Sequence, residues 1–296
     1  MSHLNPYYKG VALALLSALG FSLLPIFGIF AYREGVNVNT LLFLRFTLTA
    51  LFLFAYAGAR KQAFTVSRRQ LALLFALGGI CYSAQSSLFF SSLHYIPASL
   101  TSLLLYTHPL FVAILASIVD KERLTRSNIL AIVLSMTGLV FVLGASPAEV
   151  NLIGILMAFG AAVVYSAYLL LGTRLVKQMS PLVTSAFVAS FAALSLLVAG
   201  IAAGKLSLAL SATAWMAVAG IVAFATIMAM LALFRSLELI GPTRTSILSM
   251  IEPLLTFSFS ALLFGDRLTP LQLAGGAAVL AGAALVIKAR AKEKAG

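Results

Sequence analysis

The sequence predicts an all-α integral membrane protein of ten transmembrane helices, built as two inverted five-helix repeats with both termini in the cytoplasm. Three observations predict it: an apolar composition, an internal repeat, and the placement of lysine and arginine. Hydrophobic residues make up 61% of the chain and charged residues 9%, with a mean hydropathy of +1.06. An ordinary soluble domain carries about 25% charged residues. A soluble core cannot hold that much apolar surface, so much of it must face lipid.

The internal repeat has a constant offset of 144 residues. Residues 92–125 and 236–269 align without a gap, which is the mark of two copies of one structural unit. We therefore expect a first five-helix repeat over residues 1–145 and a second over residues 146–296. Eleven positions in the aligned stretch are identical: Ser92/Ser236, Leu93/Leu237, Ile96/Ile240, Thr101/Thr245, Ser102/Ser246, Leu104/Leu248, Pro109/Pro253, Leu110/Leu254, Arg123/Arg267, Leu124/Leu268 and Thr125/Thr269. The same offset pairs Gly10 with Gly154, Ser22 with Ser166 and Gly138 with Gly282.

Ten segments are apolar enough to cross a membrane, for which a helix needs about 20 mostly apolar residues. The first is longer than the apolar core of a signal peptide, so we expect it to be retained as a helix. The single cysteine, Cys81, permits no intrachain disulfide. The predicted spans are 10–32, 38–58, 70–92, 97–119, 126–144, 152–173, 180–202, 213–234, 241–264 and 270–288.

The cationic residues divide unequally between the two sides of these spans. Cationic loops stay in the cytoplasm, so the distribution places both termini there. It also explains the net charge of +12 without a nucleic-acid partner. The opposite loops hold only Arg33, Lys205 and Arg267, and Arg45 and Arg244 fall inside spans. The cytoplasmic set is Lys9, Arg60, Lys61, Arg68, Arg69, Lys121, Arg123, Arg126, Arg174, Lys177, Arg235, Lys288, Arg290, Lys292 and Lys294.

The repeat offset shifts the chain by five spans, which is an odd number. The second half therefore crosses the membrane in the opposite sense to the first. Many secondary transporters are built from such inverted repeats, because two equivalent packings of the halves give inward and outward openings. The pattern indicates a transporter that works by alternating access.

Each repeat carries an ionisable residue followed by proline inside an apolar span: His108-Pro109 and Glu252-Pro253. Both dipeptides lie about eleven residues from the start of their spans, or about 16 Å at 1.5 Å per residue, near the bilayer midplane. Each proline lacks the N–H that would bond a carbonyl four residues earlier, at Leu105 or Ser249. Ionisable residues at this depth normally face protein or a water-filled cavity.

Several interpretations of these charges remain open. Glu252 binds substrate or a coupling proton, or it has a structural role with Arg244, Arg45 or His108 as partner. Arg244 pairs internally or extends to the cytoplasmic interface, and Arg45 has the same two options at the outer face. His108 titrates near neutral pH or is a satisfied core histidine.

Polar and aromatic residues on other spans are further candidates for a binding surface. Tyr82, Gln85 and Ser86 share a face of span three at helical spacing, although polar residues inside a span also join helices. The remaining candidates are Ser22 on span one, Tyr106 on span four, and Tyr165 and Tyr168 on span six. Aromatic residues at this spacing also serve packing alone.

Enzyme and metal motifs are absent from the sequence. It holds no phosphate-binding glycine loop, no HExxH and no CxxC. Three histidines, His3, His94 and His108, lie at scattered depths and form no ligand set. We expect no cofactor, no metal and no catalysis, with transport driven by an ion gradient or by the gradient of the substrate itself.

The chain resembles the EamA branch of the drug/metabolite transporter superfamily, and within it the YddG-like amino acid exporters. The resemblance rests on the five-plus-five layout, on Arg45-Phe46, and on two signatures, Pro109…Glu122-Arg123-Leu124-Thr125 and Pro253…Asp266-Arg267-Leu268-Thr269. It implies a central cavity lined by spans one, three, four, six, eight and nine, and a bacterial inner-membrane location. The repeat places Ala189 opposite Arg45, so Arg45 is carried over only as a gating or structural residue, together with Pro109, Arg244 and Pro253.

The leading hypothesis is a monomeric secondary transporter that exports amino acids or similar small metabolites. The first alternative is a proton-coupled exporter of drugs or cationic metabolites that uses Glu252 as its anionic contact. The second is a membrane sensor or assembly factor without transport, for which the longest predicted loop, residues 59–69, offers little room.

Overall fold

The computed structural model describes residues 5–62, 64–92, 95–96, 98–122, 124–143, 151–264 and 269–293. Within these ranges every regular element is helical, which confirms the all-α class for the described chain. Pro97, His94, Arg123, the Asp266–Leu268 part of the second signature and the junction between residues 145 and 146 lie outside them. The helices are α1 Pro6–Ser22, α2 Leu24–Arg33, α3 Val38–Ala59, α4 Arg68–Phe75, α5 Ser83–Ser92, α6 Ala98–Leu105, α7 His108–Val119, α8 Arg126–Leu143, α9 Leu152–Val176, α10 Pro181–Ala202, α11 Ala212–Val222, α12 Ala229–Ser249, α13 Glu252–Phe264 and α14 Pro270–Glu293, with π-helices π1 Ala76–Tyr82 and π2 Ala223–Met228.

Helix starts follow local capping chemistry. The Ser67 hydroxyl accepts from the Gln70 N–H while the Gln70 side chain accepts from the Ser67 N–H, which satisfies two N–H groups at the start of α4. Asn and Ser side chains cap other helices in the same way, so short polar residues in the loops set where helices begin. These caps are Asn5, Asn37, Asn151, Ser180 and Ser211.

Nine helical segments of the described chain are long and apolar enough to cross a membrane. One of them, Ala212–Ser249, runs through predicted span eight and the first part of predicted span nine. It is interrupted at Gly241, whose φ of 79° and ψ of 174° are not helical and favour glycine. A shorter apolar helix, Glu252–Leu263, follows.

Two of the predicted spans contain a π-helix, and the two π-helices lie at overlapping positions of the repeat. Residues 76–82 of span three and 223–228 of span eight overlap when the offset of 144 is applied. π-helical turns inside α-helices are rare and are frequent at functional sites. The periodicity of the sequence predicts neither of them.

The two halves pack through contacts between helices that the repeat relates. The most extensive contacts are α8 with α14, α3 with α10, α1 with α12, and α5 with α9. In each of the first two pairs, the offset of 144 residues carries one helix onto the other. The same offset carries α1 onto α9 and α5 onto the first part of α12, so it relates the last two pairs to each other. The largest buried apolar cluster lies between α9 and α12, around Leu169, Phe234 and Leu237.

The repeated glycines mark where these helices touch. A Cβ on Gly138 would meet the Gly275 carbonyl oxygen at 2.5 Å, and one on Gly282 would meet the Ala131 carbonyl oxygen at 2.9 Å. Gly10 packs on Ile240 as Gly154 packs on Ile96. Small residues let helix backbones approach closely in membranes, which explains why the repeat retains glycine at these positions.

Candidate functional site

Two helix breaks at equivalent positions bring the repeated dipeptides to the interior. α6 ends at Leu105 and α7 begins at His108, while α12 ends at Ser249 and α13 begins at Glu252. Pro109 and Pro253 follow the breaks, and both are buried. In the first half His108 Nδ1 lies 3.1 Å from the Leu105 carbonyl oxygen, which Pro109 leaves without its helical N–H.

The Glu252 carboxylate is joined to the first half of the chain. It lies beside the Tyr106 hydroxyl and interacts electrostatically with Arg45 and Tyr165. Its side chain is partly exposed, whereas His108 at the equivalent position is only 2% exposed. The Glu252 side chain is therefore less enclosed by protein than the His108 side chain.

Aromatic rings form a continuous wall beside this carboxylate. The ring of His108 meets the edge of Tyr165 with centroids 4.9 Å apart, and Tyr106 lies 6.0 Å from His108. Tyr165 in turn stacks on Tyr168 at 5.8 Å. Four residues predicted separately from spans four and six therefore make one cluster. His108 Nε2 is buried and has no hydrogen-bond partner among the described residues.

Arg45 lies inside the protein and joins both π-helices. Its guanidinium donates through Nε to Thr226 Oγ1 at 2.8 Å, through Nη2 to the Ala225 carbonyl at 3.0 Å, and through Nη1 to the Tyr82 hydroxyl at 3.3 Å. The side chain is 3% exposed and its guanidinium packs 4.9 Å from the centre of the Phe46 ring. Of the two options for Arg45, the structure shows the internal one.

Arg244 takes a different direction from Glu252. Its guanidinium lies 5.6 Å from the Tyr7 ring and interacts electrostatically with Glu122, in the connection between α7 and α8. The Thr243 hydroxyl, which is buried and has no hydrogen-bond partner among the described residues, also lies near Glu122. The electrostatic interaction of Arg244 with Glu122 lies at the predicted cytoplasmic end of the bundle.

The remaining candidates are not bonded to the central cluster. Ser22 is fully buried and donates to the Leu19 carbonyl of its own helix at 2.7 Å, and Ser249 donates to the Thr245 carbonyl at 3.0 Å. Both serines therefore satisfy local backbone groups. Ser86 is buried, and Gln85 is partly exposed with no side-chain hydrogen bond to a described residue.

The described residues form no metal site at this cluster, and an open cleft elsewhere in the bundle does not include it. In the described part of the chain no group of three or more His, Cys, Asp or Glu side chains could hold a metal ion. A cleft of about 530 Å³ opens between α1, α10 and α12. It is lined by Leu13, Leu16, Gln62, Ser180, Pro181, Leu182, Met228, Leu231, Ala232 and Arg235, and includes neither Glu252 nor Arg45.

Comparison with known protein families decides the class. The model of the EamA-like transporter family matches residues 8–144 and again residues 152–288. The chain belongs to this family. The two matches are offset by the same 144 residues as the internal repeat. The resemblance drawn from the two signatures is confirmed, and a family of transporters agrees with the expectation of a chain that is not an enzyme.

Relatives extend over nearly the whole chain. The threonine/homoserine exporter RhtA of Escherichia coli (strain K12) is 30% identical over 292 residues, which is 94% of this chain and 89% of that protein. The uncharacterized transporter YyaM of Bacillus subtilis (strain 168) is 27% identical over 95% of this chain and 93% of its own length. A crystal structure that is 20% identical superposes with a TM-score of 0.81 over 94% of this chain and 96% of that chain. This last likeness shows the fold alone.

Sequence reasoning missed Thr226 and Glu122. A signal for Thr226 exists, because the repeat offset carries Tyr82 onto it. Arg45 therefore bonds both members of a repeat-related pair, while its own equivalent is the fully buried Ala189. Glu122 belongs to a signature that the sequence analysis used only for the family resemblance, so its electrostatic interaction with Arg244 was not anticipated.

Proposed function

We propose that this protein is a secondary transporter that exports amino acids or similar small metabolites from the bacterial cytoplasm by alternating access. Membership of a transporter family supplies the class, and the central cluster supports the substrate. The carrying observation is that Glu252, Tyr106 and His108 meet at the two repeated helix breaks. Discontinuous helices near the bilayer midplane, at the interface of inverted repeats, form the substrate sites of many secondary transporters.

The proposed topology has ten membrane crossings in two five-helix repeats of opposite orientation, with both termini in the cytoplasm. The proposed location is the bacterial inner membrane. The break at Gly241 supports counting Ala212–Ser249 as parts of two crossings. Ser236 and Thr245, which flank it, are bonded at 3.0 Å as their equivalents Ser92 and Thr101 are bonded at 3.1 Å around the turn between α5 and α6.

Cysteine labelling tests this topology in a Cys81→Ser background. Thr65→Cys lies in a predicted cytoplasmic loop and Ala209→Cys in a predicted outer loop, and both positions are exposed. An impermeant maleimide added to intact spheroplasts should label only Ala209→Cys. Labelling of Thr65→Cys before lysis would overturn the orientation.

Counterflow in proteoliposomes tests the substrate claim. Vesicles that hold the purified protein and a high internal concentration of one amino acid should accumulate the labelled form of that amino acid. The panel should begin with threonine and homoserine, because RhtA is an exporter of these. Glu252→Gln should lose most of this flux, whereas Glu34→Gln, at an exposed carboxylate bonded to Ser211, should keep it. Absence of saturable flux for every amino acid would reject the substrate claim.

A second candidate, a proton-coupled exporter of drugs or cationic metabolites, is favoured by one feature. Glu252 is the only acidic residue within the ten predicted spans. The candidate requires that Glu252→Gln abolish pH-gradient-driven efflux of a lipophilic cation such as tetraphenylphosphonium. Normal cation efflux by this variant would remove both the cation site and the proton site from Glu252.

A further inference from the structure

The central cluster holds two opposite charges that are not paired with each other. Ion pairs among the described residues include Arg174–Asp120 at the end of α9 and Arg235–Glu238 within α12, and neither involves Arg45 or Glu252. Arg45 and Glu252 interact electrostatically but form no ion pair. A buried charge pair that served only structure would be in direct contact, since an uncompensated buried charge is costly. The separation leaves space between a fixed cation and a fixed anion.

A tyrosine hydroxyl lies beside each of the two charges at this space: Tyr82 beside Arg45 and Tyr106 beside Glu252. Arg45 Nη1 donates to the Tyr82 oxygen, so the hydroxyl proton of Tyr82 is directed elsewhere, and it has no acceptor among the described residues. Tyr82 is partly exposed. A tyrosine hydroxyl whose oxygen accepts from a guanidinium is a strengthened donor, because hydrogen bonds in a chain polarise one another. The Tyr82 hydroxyl is therefore suited to donate a hydrogen bond to an anionic oxygen of a ligand.

The opposite end of the space is an acceptor. Glu252 is partly exposed and lies beside the Tyr106 hydroxyl, which can fill only one of the about four acceptor sites of an ionised carboxylate. Tyr165 interacts electrostatically with both Glu252 and Tyr82, and Arg45 interacts with Glu252. These shared interactions link the two ends.

We propose that this site binds the zwitterionic head of an amino acid in one orientation, with the ammonium group at Glu252 and the carboxylate at the Tyr82 hydroxyl backed by Arg45. The inference rests on the proposed function and adds the substrate class and its orientation. Tyr82 and Arg45 belong to the first repeat and Glu252 to the second, so the bound head group bridges the two halves. A simple cation would satisfy Glu252 but would leave Tyr82 without an acceptor and lie opposite Arg45.

Competition in the counterflow assay tests the orientation. Labelled threonine is the probe, with three competitors: threonine, threoninol, which lacks the carboxylate, and 2,3-dihydroxybutyrate, which lacks the ammonium. For the wild type we expect each truncated competitor to require at least tenfold higher concentration than threonine. Glu252→Gln should lose selectivity against 2,3-dihydroxybutyrate and keep it against threoninol. Tyr82→Phe should do the reverse.

Matched controls separate this pattern from general damage. Tyr56→Phe, at a ring that is 42% exposed, and Glu34→Gln should leave both selectivities at the wild-type value. Ligand-induced thermal stabilisation of the detergent-purified variants gives the same ratios without transport, so a variant with slow turnover still reports. Variants must elute as a single gel-filtration peak.

Different experimental outcomes reject the binding orientation and the proposed export of amino acids. Wild-type flux of threonine with equal competition by threoninol overturns the orientation and leaves amino acid export standing. So does a loss of both selectivities together in either variant. If another amino acid of the panel gives flux instead, its own alcohol and its own deaminated acid replace the two competitors. Absence of flux for the whole panel overturns the proposed function and this inference with it.

Discussion

The His108 side chain is held by one of its two ring nitrogens. Nδ1 bonds the Leu105 carbonyl and Nε2 has no described partner. We expect His108→Asn, whose amide N–H sits near the place of Nδ1, to retain most of the stability. His108→Leu should lose about 1–3 kcal/mol, because a buried carbonyl is left unsatisfied. Unfolding titrations in mixed detergent measure both, and equal losses would contradict a structural role for Nδ1.

Glu122 makes stability depend on pH. Burial raises the pKa of the Glu122 carboxyl above its ordinary value, and the Arg244 guanidinium and Lys177 ammonium offset this only in part, while Asp120 adds to it. The folded protein therefore keeps the proton to higher pH than the unfolded chain does. The contribution of this group to stability is largest below the unfolded pKa of about 4.3 and is lost as pH rises through the folded pKa.

Glu122→Gln removes this titration. The melting temperature of the variant should fall less between pH 4.5 and neutral pH than that of the wild type, and the variant should be the more stable protein at neutral pH. Glu34→Gln serves as the control. A Glu122→Gln protein that is less stable at neutral pH, with an unchanged slope, would show that the attraction to Arg244 outweighs burial.

The two π-helices are linked elements. Thr226 donates to the Ile221 carbonyl five residues earlier at 2.9 Å and accepts from Arg45, so one hydroxyl supports both the π turn and the guanidinium. Thr226→Val should cost about 1.5–3 kcal/mol, the range for hydrogen bonds to charged groups. Thr226→Ser keeps the hydroxyl and should cost much less. Equal unfolding free energies for the two variants would mean that the hydroxyl does not matter.

The contact between α8 and α14 depends on the absence of a side chain at Gly138. Gly138→Ala places a Cβ against the backbone of Gly275, and overpacking of this kind costs about 1–3 kcal/mol. Gly58→Ala is the matched change, since a Cβ there meets nothing within 4 Å. It should be neutral or stabilise by about 0.5–1 kcal/mol. If the two variants melt alike, the helices have room to separate.

At the scale of the whole molecule, the sequence predicted the helical class, the repeat and most helix bounds. Apolar runs, prolines and capping residues are local signals, and a fixed offset needs no structure to be seen. Several predicted residues, Tyr106, His108, Tyr165 and Glu252, also come together. Their shared positions in the repeat or on one helix face made this foreseeable.

Other features depend on tertiary contacts that no local signal carries. The π-helices have no distinctive composition. The Thr226 hydroxyl, which bonds the Ile221 carbonyl, also accepts from Arg45 of α3, and only the tertiary packing brings that arginine to it. Likewise the choice of Glu122 over Glu252 as the neighbour of Arg244 follows from how α12 packs against the end of α7. Spacing along a single helix cannot show it.

The halves share their packing contacts but differ where function is proposed. His108 occupies the position that Glu252 has in the second repeat, and Tyr82 and Thr226, which the repeat also relates, both bond Arg45. Such a molecule should open its centre to each side in turn. Gln85→Cys in a Cys81→Ser background places a thiol on α5 at a partly exposed position. Its modification by an impermeant reagent, in spheroplasts and in inverted vesicles, measures access from the two sides. We expect modification from both sides, slowed from both by saturating substrate, whereas modification from one side only, with or without substrate, would contradict alternating access.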